Sequence, residues 1–529
     1  MFRRPALRTP SGRTAPTPVT RPVTSLVAAL ALLAGSAAVF PALAVAAEPA
    51  QAPYGANDAP VLIVLGQSNA EGWGASVQDP ADLQQCKSFT NVQGLNQTNN
   101  RVVGATSAKW SPYSCKGNNL GEEHGTAGVP NYNVATATAL RWQRAIDKGT
   151  KLPDLNVIHI AWGSQGIQQN DTIWGKALWW PERDPSDVES LFPLAMNTIT
   201  NGLRALQDAG KQPRVIGIHW NQWEAEASNG TTVNVGNVQS AFLKVFNPLR
   251  AITGDTGAPF FLYRPRSVGY NKTSTLHAKD ALVNIAAAAP YKLLDAKDAT
   301  TLTYSADQIT STPGAYLYTL RNSTEQQIES TSWNVPAAEK NFGIFTDTKH
   351  YTADVHKWFA DQQWRTVFAD KQYGAPVKAT VNAALNRPAT QSSTNTTAVG
   401  PHTAGLAVDG NLSVSTTTSL SATTSEPQPW WQTDLGAQRS IRSVEVFNRT
   451  DGGPNRLADL YVMVSPTDLT GRSLDSIKAD PTVRTIYASG STPRKLTVPV
   501  GADGRFVRIQ LAGTNYLTLA EVQVNVPTG

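Results

Sequence analysis

Five apolar runs, at residues 61–65, 155–161, 215–220, 260–263 and 291–294, alternate with segments whose apolar residues recur at helical spacing. Those segments lie at 134–147, 188–209, 235–252, 274–289 and 352–368. This alternation limits the fold more than any other feature. Strands that are apolar throughout must be covered on both faces, and a helix between successive strands returns the chain to the same end of the sheet. It predicts an α/β domain with a parallel sheet over 58–373. A chain of 529 residues also has room for a second core. After Gly374-Ala375-Pro376 the texture changes to short β-rich pieces at 444–447, 460–464, 482–487, 495–500, 506–511 and 521–526, set between Thr- and Ser-rich turns. Regular spacing without helical periodicity predicts a β-sandwich over 382–527, joined through a linker at 374–381.

Residues 1–47 hold five arginines (Arg3, Arg4, Arg8, Arg13 and Arg21), no acid and no lysine. An apolar run from about residue 26 follows, ending in small residues. This pattern is expected of a secretory signal peptide, with a permanent anchor as the rival. The net charge of the whole chain is +5. Those five arginines account for all of it, so the remainder is near neutral and gives no reason to expect nucleic acid as a partner. No other stretch approaches a membrane span, so no membrane association is expected once the signal is removed. Cys86 and Cys115 are the two cysteines. In an oxidising compartment they are expected to form one disulfide, closing a loop of about 30 residues.

The first strand runs into Gly66-Gln67-Ser68-Asn69, which puts a serine outside the carboxyl end of the sheet, where active sites form. Ester hydrolysis by serine needs a base to take its proton and a carboxylate to orient that base. Asp347-Thr348-Lys349-His350 offers both from one turn. Read otherwise, Asp347 caps the helix near Thr352 and His350 is a surface residue. Oxyanion donors are also required. Trp162-Gly163-Ser164-Gln165-Gly166 follows the second strand and Trp220-Asn221-Gln222-Trp223-Glu224 the third, so three core strands end in small or amide residues.

These four blocks, in this order over 58–370, resemble the SGNH hydrolases, and within them the sialate O-acetylesterase and acetylxylan esterase branch. The resemblance implies a three-layer α/β/α fold and a serine esterase acting on acetylated sugars, without a cofactor for catalysis. It implies Ser68 as nucleophile, His350 as base and Asp347 as orienter, with the Ser68 and Gly163 N–H groups and the Gln222 side chain forming the oxyanion hole. Gln67, Asn69, Trp223 and Glu224 are the substrate-side residues it suggests. Two departures stand out: Trp223 takes the place of a glycine and Glu226 that of an aspartate. An indole at 223 is expected to narrow the pocket or stack on a sugar ring. Trp174, Trp179 and Trp180, in an insertion, fit either a sugar platform or a small hydrophobic core. His124 and His219 are expected to be structural. Alternatives for the whole chain are a lectin or adhesin with weak catalysis, and a lipase or thioesterase on the same scaffold.

In the second region, Ala384 to Ser393, Ala407-Val408-Asp409-Gly410-Asn411 and Trp430-Trp431-Gln432-Thr433-Asp434-Leu435-Gly436 resemble the discoidin family, the coagulation-factor V/VIII C-type jelly-roll domains. Asn448-Arg449-Thr450-Asp451 with Arg456 resembles its fucolectin branch, in which two arginines at this spacing bind fucose. That implies a glycan ligand at Arg449 and Arg456, the alternative being an Arg–Asp451 ion pair. It also implies a structural calcium, for which Asp409, Asn411 and Glu521 supply hard oxygen ligands. Asp409 equally suits a turn cap.

Overall fold

The computed structural model describes residues 54–95, 109–115, 119–120, 130–167, 178–181, 190–228, 235–254, 257–264, 272–296, 320–321, 327–328, 350–412, 419–451 and 453–529. The proposed signal segment, Asp347, Trp174 and His124 lie outside the described residues.

The N-terminal part is built on a seven-stranded sheet. Its strands are β1 (Asp58–Gly66), β2 (Val92–Leu95), β3 (Trp110–Pro112), β4 (Leu155–Ala161), β5 (Gln212–Asn221), β6 (Phe260–Tyr263) and β7 (Tyr291–Leu294). The order is β3-β2-β4-β1-β5-β6-β7, parallel throughout except for the edge strand β3. Alternate residues of β1 feed two separate cores. Val61, Ile63 and Leu65 face α4 (Leu191–Asp208), α6 (Val235–Ile252) and α7 (Lys272–Ala286). Leu62 and Val64 face α3 (Val134–Asp147) and the helix Ala353–Phe368. The result is a three-layer α/β/α sandwich, as continuous apolar strands require. Helix starts are fixed by side-chain caps: the Asn133 side chain accepts from Thr136 N–H at 2.9 Å and Thr352 from Val355 N–H at 3.4 Å.

The short strands β2 and β3, at one side of the sheet, fall in the Asn-, Gly- and Ser-rich stretch, where alternation is too short to show in sequence. A Cys86–Cys115 disulfide spans that stretch, with its Cα atoms 5.2 Å apart. Among the described residues no helix is long and apolar enough to cross a membrane.

The C-terminal part is a β-sandwich around its own core of Trp431, Val444, Val462, Val498, Ile509, Val522 and their neighbours. One expected piece is part of a longer strand and one expected pair is a single strand: Trp430–Phe447 contains the 444–447 piece, and Lys495–Leu511 joins 495–500 to 506–511 across register shifts. The linker is not loose. Val377 is buried in the α/β core and its N–H donates to the Pro213 carbonyl at 2.9 Å, while Arg214 donates to the Gly374 carbonyl at 2.9 Å.

The two parts also meet directly. Helix α6 packs on the sandwich strands Lys495–Leu511 and Trp430–Phe447. Buried Glu445 is shared by Arg204 of α4 and by Lys495, whose ammonium is 2.9 Å away. Gly501 lies so close to α6 that a Cβ there would come within 2.5 Å of the Pro248 carbonyl oxygen.

The disulfide closes a span of 29 residues, which the chain-entropy picture values at about 3 kcal/mol. A Cys86→Ser/Cys115→Ser double variant is expected to lose about that much in urea unfolding, and a loss below about 1 kcal/mol would show that β2 and β3 hold the segment unaided.

Candidate functional site

Strands β4, β1 and β5 are neighbours and end in register, Gly66 pairing with Ala161 on one side and Asn221 on the other. The loops that leave them converge in one crevice outside the sheet, where open α/β sheets bind their ligands. Gly66 has φ 146°, and a Cβ at this position would collide with the Asn221 carbonyl oxygen. Only glycine fits there. Its carbonyl accepts from Trp162 N–H at 3.2 Å and from the Trp179 indole N–H at 3.1 Å, which fixes the end of the strand.

The turn then delivers Ser68, first residue of the short helix α1 (Ser68–Glu71). Ser68 Oγ lies 3.0 Å from His350 Nε2, although 282 residues separate them. This is hydrogen-bond range for a hydroxyl and an imidazole that can take its proton.

Asn69 makes that meeting possible. Its side-chain oxygen accepts from Tyr351 N–H at 3.0 Å, and its amide donates to Glu224 Oε1. The same carboxylate accepts from Gln67 Nε2 at 2.5 Å and Trp223 N–H at 3.2 Å. Burial pushes the Glu224 carboxyl up, while the Asn69 amide, nearby backbone N–H groups and the His350 ring pull it back. Gln67, Asn69 and Glu224 are almost completely buried. This corrects their expected place on the substrate side: the Gln67 and Asn69 amide N–H groups are given to the Glu224 carboxylate, as buried donors need an internal acceptor.

Trp223 requires the same correction. It is fully buried within the core between the sheet and α4 and α6, because an indole gains more from apolar packing there than from the crevice. Trp179 is likewise core, its ring set edge-on to Trp220 at 4.8 Å, and Trp180 packs beside it under Lys244.

Gly163 borders Ser68; a Cβ on it would lie 3.6 Å from the Ser68 Cβ. Its N–H, however, donates to Glu71 Oε1 at 2.6 Å. The expected open oxyanion donor is thus occupied by a carboxylate, whose charge makes it the stronger acceptor. Gln222 is fully buried and gives Nε2 to Glu226 Oε2 at 2.5 Å, and Glu226 Oε1 accepts from Ile167 N–H at 2.6 Å. Glu226 therefore ties the loop after β4 to the loop after β5. Sequence reasoning passed over Glu71 and the tying role of Glu226; the available signal was an acid beside a strand-end motif in a chain with only 16% charged residues.

In the sandwich, Arg449 pairs bidentately with Asp451 at 2.6 and 2.7 Å, the ion-pair alternative. That bond holds the Asp451 carboxyl below its usual range. The Arg456 guanidinium lies 4.5 Å over the ring of Tyr516. Asp409 Oδ1 accepts from Asn411 N–H at 2.8 Å, so it does cap its turn. Glu521 is fully buried, and its carboxyl is pushed up to about 8 by burial and by the charge of Asp409. Among the described residues no group of three or more His, Cys, Asp and Glu side chains is gathered as a metal cluster.

Residues 406–509 match the family described as NedA-like, galactose-binding domain. Fucolectin-5 of Anguilla japonica is 34% identical over 122 residues, which is 23% of this chain and 62% of that protein. Fucolectin-1 of the same species is 33% identical over 124 residues, 23% of this chain and 66% of its own length. The chain thus spans less than two thirds of either relative. A fucose binding module of Streptococcus pneumoniae aligns at 28% identity over 27% of this chain and 96% of its own, with a TM-score of 0.23. The C-terminal β-sandwich is a discoidin, fucolectin-like domain.

Three histidines, His159, His219 and His356, are buried in the α/β part. His159 Nε2 sits 2.9 Å from the Ala70 carbonyl, and His219 lies between Tyr263 Oη at 2.6 Å and Gln363 Oε1 at 3.0 Å. Burial lowers both rings to about 4 and His356 to about 3. A ring kept neutral in the fold but titrating near 6.5 when unfolded contributes stability above pH 6.5 that is lost as pH falls toward its folded value. His219→Gln cannot titrate at this position. Its unfolding free energy should therefore fall less steeply than the wild type between pH 6 and 4.5, by about 1.4 kcal/mol per pH unit. Parallel slopes in urea titrations would refute the neutral-ring assignment.

Proposed function

We propose that this chain is a secreted serine esterase that removes O-acetyl groups from carbohydrate, joined to a glycan-binding β-sandwich. The observation that carries this reading is the 3.0 Å contact between Ser68 Oγ and His350 Nε2 at the carboxyl edge of the sheet. As Oγ attacks the acetyl carbonyl, its proton passes to His350 Nε2. The resulting oxyanion takes hydrogen bonds from the Ser68 N–H and from the second amide hydrogen of Gln222. Collapse breaks the bond to the sugar oxygen, which leaves with the proton from His350. Water then enters by the same base, releasing acetate and restoring Ser68. Asp347 orients His350 in this scheme, as the likeness to SGNH hydrolases implies. For Gly163 to join the oxyanion hole, Glu71 must first give up its N–H.

A glycan partner is supported by the likeness of the sandwich to fucolectins. Arg449 and Arg456, with Tyr516 beneath the latter, are the side chains we assign to sugar contact. A bound module raises the effective concentration of the catalytic site on a polymeric glycan. Secretion follows from the composition of residues 1–47 and suits the disulfide.

Ser68→Ala is expected to lower acetate release from acetylated glycans by at least about a thousandfold, leaving the fold intact by circular dichroism. Equal release from both proteins would refute the serine mechanism. Hydrolysis confined to long-chain acyl esters would favour a lipase instead.

The sandwich also fits a hard cation. A buried carboxylate facing a second one is costly unless a cation neutralises it, and Glu521 and Asp409 stand in that relation. We assign Asp409, Asn411 and Glu521 as its side-chain ligands. Calcium at about a hundred times its dissociation constant should stabilise the protein by about 2.7 kcal/mol, an effect read in thermal melts with and without chelator. Glu521→Gln should abolish the response; an unchanged response would place the ion elsewhere.

A further inference from the structure

A cleft of about 600 Å³ opens on the sandwich, and neither Arg449 nor Arg456 belongs to its lining. It lies where strand Thr380–Asn382 pairs with strand Glu521–Pro527, Val381 standing opposite Val526. Its volume falls in the range of small-ligand sites, about 300–1,000 Å³. Two guanidinium groups line it, those of Arg387 and Arg439. The turn that carries Arg387 is tied down: Asn386 N–H donates to the Val408 carbonyl at 2.7 Å and Arg387 N–H to that of Ala384 at 3.0 Å. Arg439 stands where strand Trp430–Phe447 regains its register with Lys495–Leu511, opposite Gly504. The Arg387 guanidinium passes over Gly436 of that same strand, where a Cβ would come within 3.1 Å of it.

The balance of donors and acceptors says what the cleft takes. Elsewhere in the sandwich Arg449, Arg472 and Arg505 each hold an aspartate. Among the described residues Arg387 gives only its Nε–H, to the Ala383 carbonyl at 3.4 Å, and Arg439 has no hydrogen bond or ion pair. Asp434, near enough to feel the charge of Arg387, has both oxygens bound to Arg505 at 2.7 Å. Gly529 borders the cleft and makes no ion pair with either arginine, and no acidic side chain lines it. Asn382 Oδ1 is spent on the N–H groups of Ala384 and Val524, which leaves its amide as a further donor. Beside these donors Val381 and Leu385 are exposed, at 50% and 47%.

An inorganic anion would leave that apolar part in water, and a neutral sugar would leave the guanidinium groups without the charged acceptor they bind best. A pyranose bearing a carboxylate or sulfate meets both needs, with C–H groups on its face and charge at its rim. We infer that this cleft is a second sugar subsite of the sandwich, one that takes an anionic sugar residue. Arg387 and Arg439 hold the charged group, and Val381 and Leu385 lie against the ring. This rests on the glycan reading of the sandwich proposed above, and adds to it a site that the fucolectin-like arginines do not form.

The test titrates the full chain calorimetrically at low salt with trigalacturonate, its methyl ester and a sulfated galactose trisaccharide. The acid and the sulfated sugar separate carboxylate from sulfate as the charged group, and saturable binding of either supports the subsite. Arg387→Gln/Arg439→Gln should raise Kd for the anionic probe at least about tenfold, the worth of one hydrogen bond to a charged group. Both side chains are exposed, so the thermal melt should not change. The neutral methyl ester should bind at least about tenfold more weakly than the acid, and Arg449→Ala/Arg456→Ala should leave Kd for the anionic probe within about twofold. Equal affinity for acid and ester would overturn the subsite, as would a Kd untouched by Arg387→Gln/Arg439→Gln or one lost with Arg449 and Arg456. Equal affinity for hexaglutamate would overturn a sugar as the occupant. Binding of a neutral fucosylated glycan, with none of the anionic sugars, would overturn this subsite alone; binding of no glycan at all would remove the glycan reading with it.

Discussion

The Asn69 side chain is the interaction on which the site depends. One amide group spans two otherwise unrelated pieces of chain, accepting from the backbone of Tyr351 and donating to Glu224. Tyr351 follows His350, and Glu224 opens the short helix after β5, so a single residue beside Ser68 sets the position of His350. The meeting of Ser68 and His350 across 282 residues follows from that bridge and from the in-register ends of β4, β1 and β5. All of these groups are buried, so each lost bond leaves a partner without water to replace it. That cost keeps the arrangement single-valued.

The carboxylates are arranged in the same spirit. Glu71, Glu224 and Glu226 each receive at least one backbone N–H from a loop that leaves the sheet. Loops are ordinarily the most variable parts of a fold. Here they are stapled to each other by buried carboxyl acceptors, whose bonds the low local dielectric strengthens.

Much of this was readable in the sequence, for identifiable reasons. Helix α3 spans Val134–Asp147, and β4 and β6 span Leu155–Ala161 and Phe260–Tyr263, as periodicity indicated, because long amphipathic or wholly apolar runs leave little choice. The convergence of three strand ends was legible because parallel strands share a polarity. The direction of side chains was not. Nothing in Trp223 distinguishes a core indole from an exposed one, and the amides of Gln67 and Asn69 look as suited to substrate as to Glu224. Nor does sequence show that Gly163 already serves Glu71. Such choices are settled by three-dimensional competition for donors, which leaves no periodic trace. The short strands β2 and β3 escaped for the related reason that three or four residues cannot establish alternation.

The join between the two parts has a consequence for how such a molecule works on a polymer. Flexible tethers let a module search a volume, and the gain depends on their length. In this chain the connection is bonded along β5, and helix α6 sits against the sandwich strands with Glu445 shared across the seam. Tethering then becomes a matter of angle. On the esterase reading proposed above, a glycan chain gripped by the sandwich would pass the crevice at one fixed offset, so the spacing of acetyl groups along the polymer, rather than their density, would decide which of them come within reach.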